Sequence, residues 1–208
     1  MAFGHSMKER RTSEAPIKDV SGLILAGGVS SRYGKNKALV KVNGIPLIER
    51  VSRVMKSLFK EVILITNTPD EYSFLKLPMY EDLIRGLGPL GGLFTGLTRM
   101  ASETGFLVGC DMPSLNRKLI RHIINIRDDS DVVVPRISGL MEPLHALYSK
   151  ECLHAIKKLI ASRKYQINQL FGEVSVKYID EALVRRFDPE LRCFYNINKP
   201  QQLDSINE

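Results

Sequence analysis

Uniformly apolar stretches alternate with amphipathic ones along most of this 208-residue chain. Residues 62–65 and 106–110 carry no charged or hydroxyl side chain, which is typical of strands buried on both faces of a parallel sheet. Between such stretches, apolar residues recur every three or four positions and predict helices, for example over about residues 46–59. Repeated alternation of strand and helix predicts a parallel sheet with right-handed crossover connections.

The last third of the chain changes pattern. Polar and apolar residues alternate at 174–178, which we expect to pair antiparallel at the margin of the sheet. We therefore predict one three-layer α/β domain over residues 19–208, with a mixed, mostly parallel central sheet. Strands are predicted at residues 20–25, 39–42, 62–65, 79–81, 106–110, 131–134, 144–148 and 174–178. Helices are predicted at about residues 46–59, 70–76, 88–102, 119–126 and 151–162, with a last short helix after residue 200.

The N-terminal segment differs from the rest of the chain because residues 1–18 are polar and lack an apolar core of the kind found in secretory signals. We expect a disordered or vector-derived tail here. The opening Met-Ala-Phe-Gly-His-Ser-Met resembles a vector scar, which would make Met7 the natural start.

Charge and cysteine content narrow the possible partners and compartment. A net charge of +7 and a pI near 9.3 indicate an anionic partner, although a generally basic surface would give the same values. The basic residues are dispersed and form no nucleic-acid module, so we expect a phosphorylated small molecule.

No apolar run has the length of a membrane span, so no membrane role is expected. Cys110, Cys152 and Cys193 form no C-x-x-C pair, which favours a reducing cytoplasm.

A glycine-rich, basic segment directly follows the first predicted strand and carries the most specific chemistry. Gly27 and Gly28 lack a Cβ, so their backbone N–H groups can approach an anion closely, and Arg32 and Lys37 add positive charge. The spacing to Gly34-Lys35 is one residue too long for a P-loop, and adjacent glycines exclude the dinucleotide fingerprint. We therefore predict a phosphate-binding loop of another type.

Other polar and glycine-rich positions follow the later predicted strands. Asn67, Asp82, a second glycine-rich loop at residues 86–92 and Asp111 all come after such strands. Ligands of open parallel sheets bind outside the carboxyl ends of the strands, so these positions should line one cleft. Asp111 would enter that cleft from a buried strand, and a carboxylate among phosphates suits Mg²⁺. Taken alone, Asp-x-Pro more often marks a turn or a helix cap.

The motifs together resemble the molybdenum cofactor guanylyltransferase (MobA-type) family of the nucleotidyltransferase superfamily. Residues 25–37 resemble its L-A-G-G-x-S-x-R-M-G-x-D-K signature, with Tyr33 in place of Met and Asn36 in place of Asp. Three further segments resemble the family's G-P-L-A-G, C-D-x-P and N-x-N-x-P motifs: residues 88–92, 110–113 and 196–200. The resemblance implies a three-layer, Rossmann-like nucleotidyltransferase fold.

The resemblance also implies a function and a set of site residues. It implies Mg²⁺-dependent transfer of GMP from GTP to molybdopterin-bound molybdenum, with release of pyrophosphate and possible transient contact with molybdoenzymes or their chaperones. Asp111 would hold the metal, Arg32 and Lys37 would steady the phosphates, and Asn196 and Asn198 would lie near the acceptor or product. The expected nucleotide-binding residues are Leu25, Ala26, Gly27, Gly28, Lys37, Asn67, Asp82, Gly88, Pro89, Leu90 and Asp111.

Three alternatives remain open at this point. A molybdopterin cytidylyltransferase or a sugar-1-phosphate nucleotidyltransferase would share the fold, although the short chain disfavours the latter. A non-catalytic nucleotide-binding adaptor in molybdoenzyme maturation is the third, and the presence of both Lys37 and Asp111 argues against it.

Overall fold

The computed structural model describes residues 15–27 and 36–195, which form strands, α-helices and short 3₁₀ helices. The strands are β1 Val20–Leu25, β2 Lys41–Val42, β3 Ile45–Pro46, β4 Val62–Ile65, β5 Met79–Tyr80, β6 Thr104–Gly109, β7 Val132–Ile137, β8 Leu140–Met141, β9 His145–Ser149 and β10 Val176–Asp180. The α-helices are α1 Leu47–Leu58, α2 Gly88–Arg99, α3 Arg117–Asn125, α4 Cys152–Ala161 and α5 Glu181–Arg185. The 3₁₀ helices are Lys37–Leu39, Pro69–Leu75, Ile167–Gly172 and Arg192–Phe194.

The central sheet is mixed and mostly parallel, as predicted. Its order is β10-β7-β9-β6-β1-β4-β5, and β8 pairs with β7 outside this path. Along this path of described strands, β9 is the one that runs against its neighbours, because it pairs antiparallel with both β6 and β7. The two neighbours of β1 are both parallel to it, which places the carboxyl ends of β4, β1 and β6 side by side.

Two apolar cores, one on each face of the sheet, complete the three layers. On one face, α1 and α3 pack with Met55 and Ile120 against Ile24 and Phe106 of the sheet. On the other face, α2 and α4 contribute buried leucines and isoleucines that pack against Leu23 and Leu107. Alternating residues of β1 thus face opposite cores, which explains why its sequence is apolar except for the buried Ser21, whose hydroxyl donates to Glu61.

The direction of β10 corrects one prediction. Residues 174–178 were expected to pair antiparallel, but β10 runs parallel to β7 in a register that places Val176 opposite Val132. The predicted place at the margin of the sheet is right. Alternation reports that one face of a strand is exposed, and it contains no information on strand direction.

Local differences concern the ends of elements. The helix expected near residues 70–76 is a 3₁₀ helix at Pro69–Leu75, and Pro46 ends β3 instead of beginning a helix. Asn43-Gly44 forms a turn between β2 and β3, and both residues have positive φ values. Ile17 lies in the segment expected to be a tail, yet it bridges to Phe59 and its N–H donates to the carbonyl oxygen of Leu58 at 2.7 Å. The packed domain therefore includes residues before 19.

Candidate nucleotide-binding site

The first glycine-rich loop begins between two neighbouring strand ends. Leu25 is opposite Ile65 of β4 and Gly109 of β6. Two hydrogen bonds extend this contact beyond the strands: Ala26 N–H donates to the carbonyl oxygen of Ile65 at 2.9 Å, and Cys110 N–H donates to that of Leu25 at 3.0 Å. The backbone at Leu25 and Ala26, where the described part of this segment ends at Gly27, is therefore held beside the segment that carries Asp111.

Asp111 is a half-buried carboxylate whose position depends on a glycine. A Cβ added at Gly109 would lie 2.9 Å from Oδ1 of Asp111, so a larger residue at this position would force the carboxylate to shift. Burial raises the pKa of Asp111, whereas a backbone hydrogen bond and the positive charge of Lys37 lower it. Burial has the largest effect of the three, so the pKa stays above its usual value of 3.8.

Lys37 shares the electrostatic environment of Asp111. Its charge also lowers the pKa of Cys110, although burial holds the pKa of that thiol at about 12. Lys37 begins a 3₁₀ helix whose next residue, Ala38, is buried and anchors the segment in the core. The structure thus brings together Lys37 and Asp111, which are 74 positions apart in the sequence.

Asn67 and Asp82 form a reciprocal pair at the ends of β4 and β5. The Asn67 amide donates to Oδ2 of Asp82 at 2.7 Å, and the backbone N–H of Asp82 donates to Oδ1 of Asn67 at 3.1 Å. Both residues are partly exposed at the same edge as Asp111. Because one Asp82 oxygen is bound by Asn67, this pair orders the loop that leads to α2.

The second glycine-rich loop leads into the amino terminus of α2. Gly88 has a φ of +58°, which favours glycine, and within the described residues neither a side-chain cap nor an acidic residue satisfies the first N–H groups of the helix. Such a terminus attracts anions. Gly88 and Pro89 are exposed here, but Leu90 is fully buried in the core. Leu90 therefore presents no exposed surface to a nucleotide in this structure.

Four of the predicted site residues lie outside the described residues: Gly28, Arg32, Asn196 and Asn198. The other predicted residues all lie at the carboxyl edge of the sheet or in the loops that follow it. His145 is fully buried on β9 and packs edge-on against Phe106 at a ring-centroid distance of 5.3 Å.

Sequence reasoning missed two groups that support the site. Thr95 of α2 accepts a hydrogen bond from the N–H of Leu83 at 3.0 Å and donates to the carbonyl oxygen of Gly91 at 2.9 Å, which fixes the second loop to its helix. Asn36 donates to Glu71 and Tyr72. Nothing in the local sequence indicates either contact, except that Asn36 departs from the family signature.

A cavity of about 740 Å³ lies at the opposite, amino edge of the sheet. Its charged lining residues include Asp19, Arg127 and Asp128. Asp19 pairs with Arg127, and Asp128 pairs with Lys177 at 2.8 Å. These charges are already neutralised by partners, so this cavity has less to offer an anionic ligand than the carboxyl edge.

No helix in the described part of the chain is both long and apolar enough to cross a membrane.

The family model and the relatives that follow all belong to the same protein family. The model of the MobA-like NTP transferase domain matches residues 22–176. A molybdenum cofactor guanylyltransferase of Desulfosudis oleivorans is 37% identical over 187 residues, which cover 89% of this chain and 93% of that protein. A Peptoclostridium acidaminophilum protein named "Probable molybdenum cofactor guanylyltransferase" is 34% identical, with 90% and 88% covered.

Solved structures agree on the fold. The molybdopterin-guanine dinucleotide biosynthesis protein A of Archaeoglobus fulgidus matches with a TM-score of 0.77 at 24% identity, covering 91% of this chain and 96% of that one. A 4-diphosphocytidyl-2C-methyl-D-erythritol synthase of Anaerococcus prevotii matches with a TM-score of 0.68 at 17% identity, covering 91% and 95%. The family model spans most of the strands that carry the site, and the chain therefore belongs to the MobA-like NTP transferase family of nucleotidyltransferases.

Proposed function

We propose that this protein transfers GMP from GTP to molybdopterin-bound molybdenum in a Mg²⁺-dependent reaction that releases pyrophosphate. The names of these relatives support guanylyl transfer and do not favour the cytidylyl alternative. The observation that carries the proposal is the placement of Lys37 and Asp111 in one electrostatic environment beside the first glycine-rich loop. A nucleotide adaptor without turnover would not need this arrangement.

The chain's own residues would act mainly by positioning. The backbone at Ala26 and Gly27 and the amino terminus of α2 would face the triphosphate, and Lys37 would stabilise negative charge on the transferred phosphate. A terminal phosphate oxygen of the acceptor would attack the α-phosphorus of GTP as the bond to pyrophosphate breaks. That oxygen is already anionic at neutral pH, so no strong general base is needed, and in-line orientation supplies much of the rate.

The carboxylate of Asp111 is the kind of ligand that a divalent metal ion binds. Nucleotidyltransferases of this type use a divalent metal. Within the described residues, no three His, Cys, Asp or Glu side chains form a metal-binding group. Mg²⁺ commonly takes only one or two carboxylates and completes its shell with phosphate oxygens and water. Asp111 supplies a carboxylate that is partly withdrawn from water, and the ion would neutralise charge on the phosphates there.

The test of this proposal is a turnover assay with molybdopterin cofactor, Mg²⁺ and either GTP or CTP, in which pyrophosphate and the dinucleotide product are measured. We expect product from GTP and much less from CTP. Asp111→Asn should lower turnover by roughly two orders of magnitude, as for loss of a preorganised electrostatic group. Asp129→Asn, at an exposed position of the opposite edge, is the matched control.

Three outcomes would contradict the proposal. Faster turnover with CTP would establish a cytidylyltransferase. Tight GTP binding without product would establish an adaptor, and wild-type turnover in Asp111→Asn would remove Asp111 from the metal site. Transient contact with molybdoenzymes and a cytoplasmic location stay predictions.

A further inference from the structure

The side chain of Asn36 is fully engaged in hydrogen bonds. Its Oδ1 accepts from the backbone N–H of Ala38 at 3.1 Å, and its amide donates to Oε2 of Glu71 at 2.6 Å and to the hydroxyl of Tyr72 at 2.7 Å. One acceptor and both amide protons therefore have partners. These partners also fix the orientation of the amide, because the Glu71 carboxylate can only accept a hydrogen bond.

This network holds the residue that follows it. Asn36 caps the 3₁₀ helix Lys37–Leu39, and its carbonyl oxygen accepts from the N–H of Leu39 at 3.1 Å. Lys37 therefore lies between two fixed points: the capping side chain of Asn36 and the buried methyl group of Ala38. The backbone of Lys37 has little freedom to move relative to the cleft.

The partners of Asn36 belong to a rigid element. Tyr72 and Leu75 of the 3₁₀ helix Pro69–Leu75 are buried, and Lys56 of α1 donates to the carbonyl oxygen of Leu75. Burial raises the pKa of Tyr72 to about 12, so its hydroxyl stays neutral under ordinary conditions. This 3₁₀ helix follows β4 and Asn67, so it connects the position of Lys37 to the same sheet edge that carries the site.

The chemistry of this contact requires an amide at position 36 as long as position 71 is a carboxylate. An aspartate at position 36 could still cap Ala38, but it has no proton to donate to Glu71 or Tyr72. Two carboxylates at this distance repel each other unless one takes up a proton. A glutamine at position 71 would remove the conflict, because its amide can donate to the new carboxylate.

We propose that Asn36 is a positioning residue that holds Lys37 beside Asp111 through its matched hydrogen bond to Glu71. This role of Asn36 depends on the proposed function in one respect, which is that Lys37 acts on the transferred phosphate. It assigns to Asn36 and Glu71 a joint role in setting the turnover rate, although neither residue touches the substrate.

The test compares Asn36→Asp, Glu71→Gln and the double variant with the wild type. We expect Asn36→Asp to lower kcat by about tenfold or more, with a smaller change in the KM for GTP, because Lys37 acts on charge that develops during transfer. Glu71→Gln alone should stay near wild type, since the carbonyl oxygen of the introduced glutamine can still accept from Asn36. The double variant should recover to within about threefold of wild type. Asn125→Asp, exposed at the end of α3, controls for the added charge.

A second readout does not depend on turnover. Hydrogen exchange at the backbone amides of Ala38 and Leu39 should become at least several-fold faster in Asn36→Asp and return toward wild type in the double variant. Unchanged exchange and unchanged kcat in Asn36→Asp would overturn the proposal. A double variant whose kcat is no higher than that of Asn36→Asp would overturn it too. The loss of kcat would then not come from the repulsion between the carboxylates at positions 36 and 71. If the wild type transfers no GMP, the proposed function fails, and the exchange data still decide the contact itself.

Discussion

At the scale of single residues, Asp111 is kept in a position that costs stability. Its pKa is raised by burial, and Lys37 offsets this effect only in part. The ionised carboxylate is therefore less stable in the folded chain than in the unfolded one. A residue that is unfavourable for folding and lies next to a glycine-rich segment at the carboxyl edge of the sheet is typical of a functional site.

We predict that Asp111→Asn makes the fold more stable at neutral pH. The folded pKa lies above the unfolded value of 3.8, so the folded state binds a proton more tightly and the ionised wild type is destabilised at higher pH. The advantage of the asparagine variant should therefore be present near pH 7 and should vanish as the pH falls through the folded pKa of Asp111 and below 3.8. Urea unfolding at several pH values measures it.

The control for this prediction is Asp129→Asn on the opposite edge. It should show no such gain, because Asp129 is exposed. If Asp111→Asn is less stable than wild type at pH 7, the carboxylate must form favourable contacts that outweigh its burial.

The sequence predicted Asp111, Lys37, Asn67 and Asp82 as neighbours because each follows a strand of a parallel sheet, and the edge of such a sheet collects these positions. It could not predict the hydrogen bonds of Asn36. These depend on how a 3₁₀ helix more than thirty positions later is oriented, and no periodicity of the sequence records that orientation.

At the scale of elements, α2 approaches the sheet closely because of its glycines. A Cβ at Gly92 would lie 2.9 Å from a methyl group of Leu25, and one at Gly96 would lie 3.0 Å from a methyl group of Leu23. Gly91 is tighter, since its Cβ would lie 2.9 Å from the Cβ of Leu87 and 3.2 Å from the backbone oxygen of Ile84. Backbone cannot move aside as a leucine methyl group can.

We predict that Gly91→Ala displaces the second glycine-rich loop. The loop should lose its fixed position over the cleft, so the affinity for GTP should fall by about tenfold, and the protein should lose roughly 1–3 kcal/mol of unfolding free energy from overpacking. Calorimetric titration with GTP and urea unfolding measure the two effects. Gly172→Ala is the matched control, because no described atom lies within 4 Å of the added Cβ. Unchanged GTP affinity in Gly91→Ala would show that this loop takes no part in binding.

The elements themselves were largely predictable, and their directions were not. Apolar runs identified β1, β4, β6 and β7, and helical spacing identified α1 to within one residue at each end. The direction of β10 depends on how the chain crosses the sheet after α4, which is a tertiary property. The 3₁₀ character of Pro69–Leu75 was equally hidden, since one or two turns of either helix present similar spacing.

At the scale of the whole molecule, His145 lies on β9, the strand that joins β7, β8 and β10 to β6 and the remaining strands of the central sheet. Its ring packs between Phe106 of β6 and Phe194 near the end of the described chain, and neither ring nitrogen has a hydrogen-bond partner among the described residues. Burial lowers the pKa of His145 to about 3, although the charge of Asp188 raises it slightly. The imidazole is therefore neutral in the folded protein at any ordinary pH.

We predict that His145 makes the protein sensitive to acid. Its folded pKa lies below the unfolded value of 6.5, so its contribution to stability is complete above pH 6.5 and is lost as the pH falls toward 3. Between about pH 6.5 and about pH 5 the wild type should lose roughly 2 kcal/mol relative to His145→Phe, at about 1.4 kcal/mol for each pH unit. Urea unfolding at both pH values tests this. His154→Gln, at an exposed position of α4, should keep the pH dependence of the wild type; equal slopes for wild type and His145→Phe would refute the assignment.

The antiparallel pairing of β6 with β9 has a consequence for the biosynthesis of the chain. Strands β1, β4, β5 and β6 are all complete by residue 109, whereas β7, β9 and β10 lie between residues 132 and 180. In the described sheet these two groups join only at β6 and β9. A nascent chain that has just left the ribosome up to α3 can therefore assemble four strands while the inner edge of β6 stays uncovered. An uncovered apolar edge is a template for association between chains. The interval before β9 emerges is thus the stage of synthesis at which this protein is most exposed to aggregation.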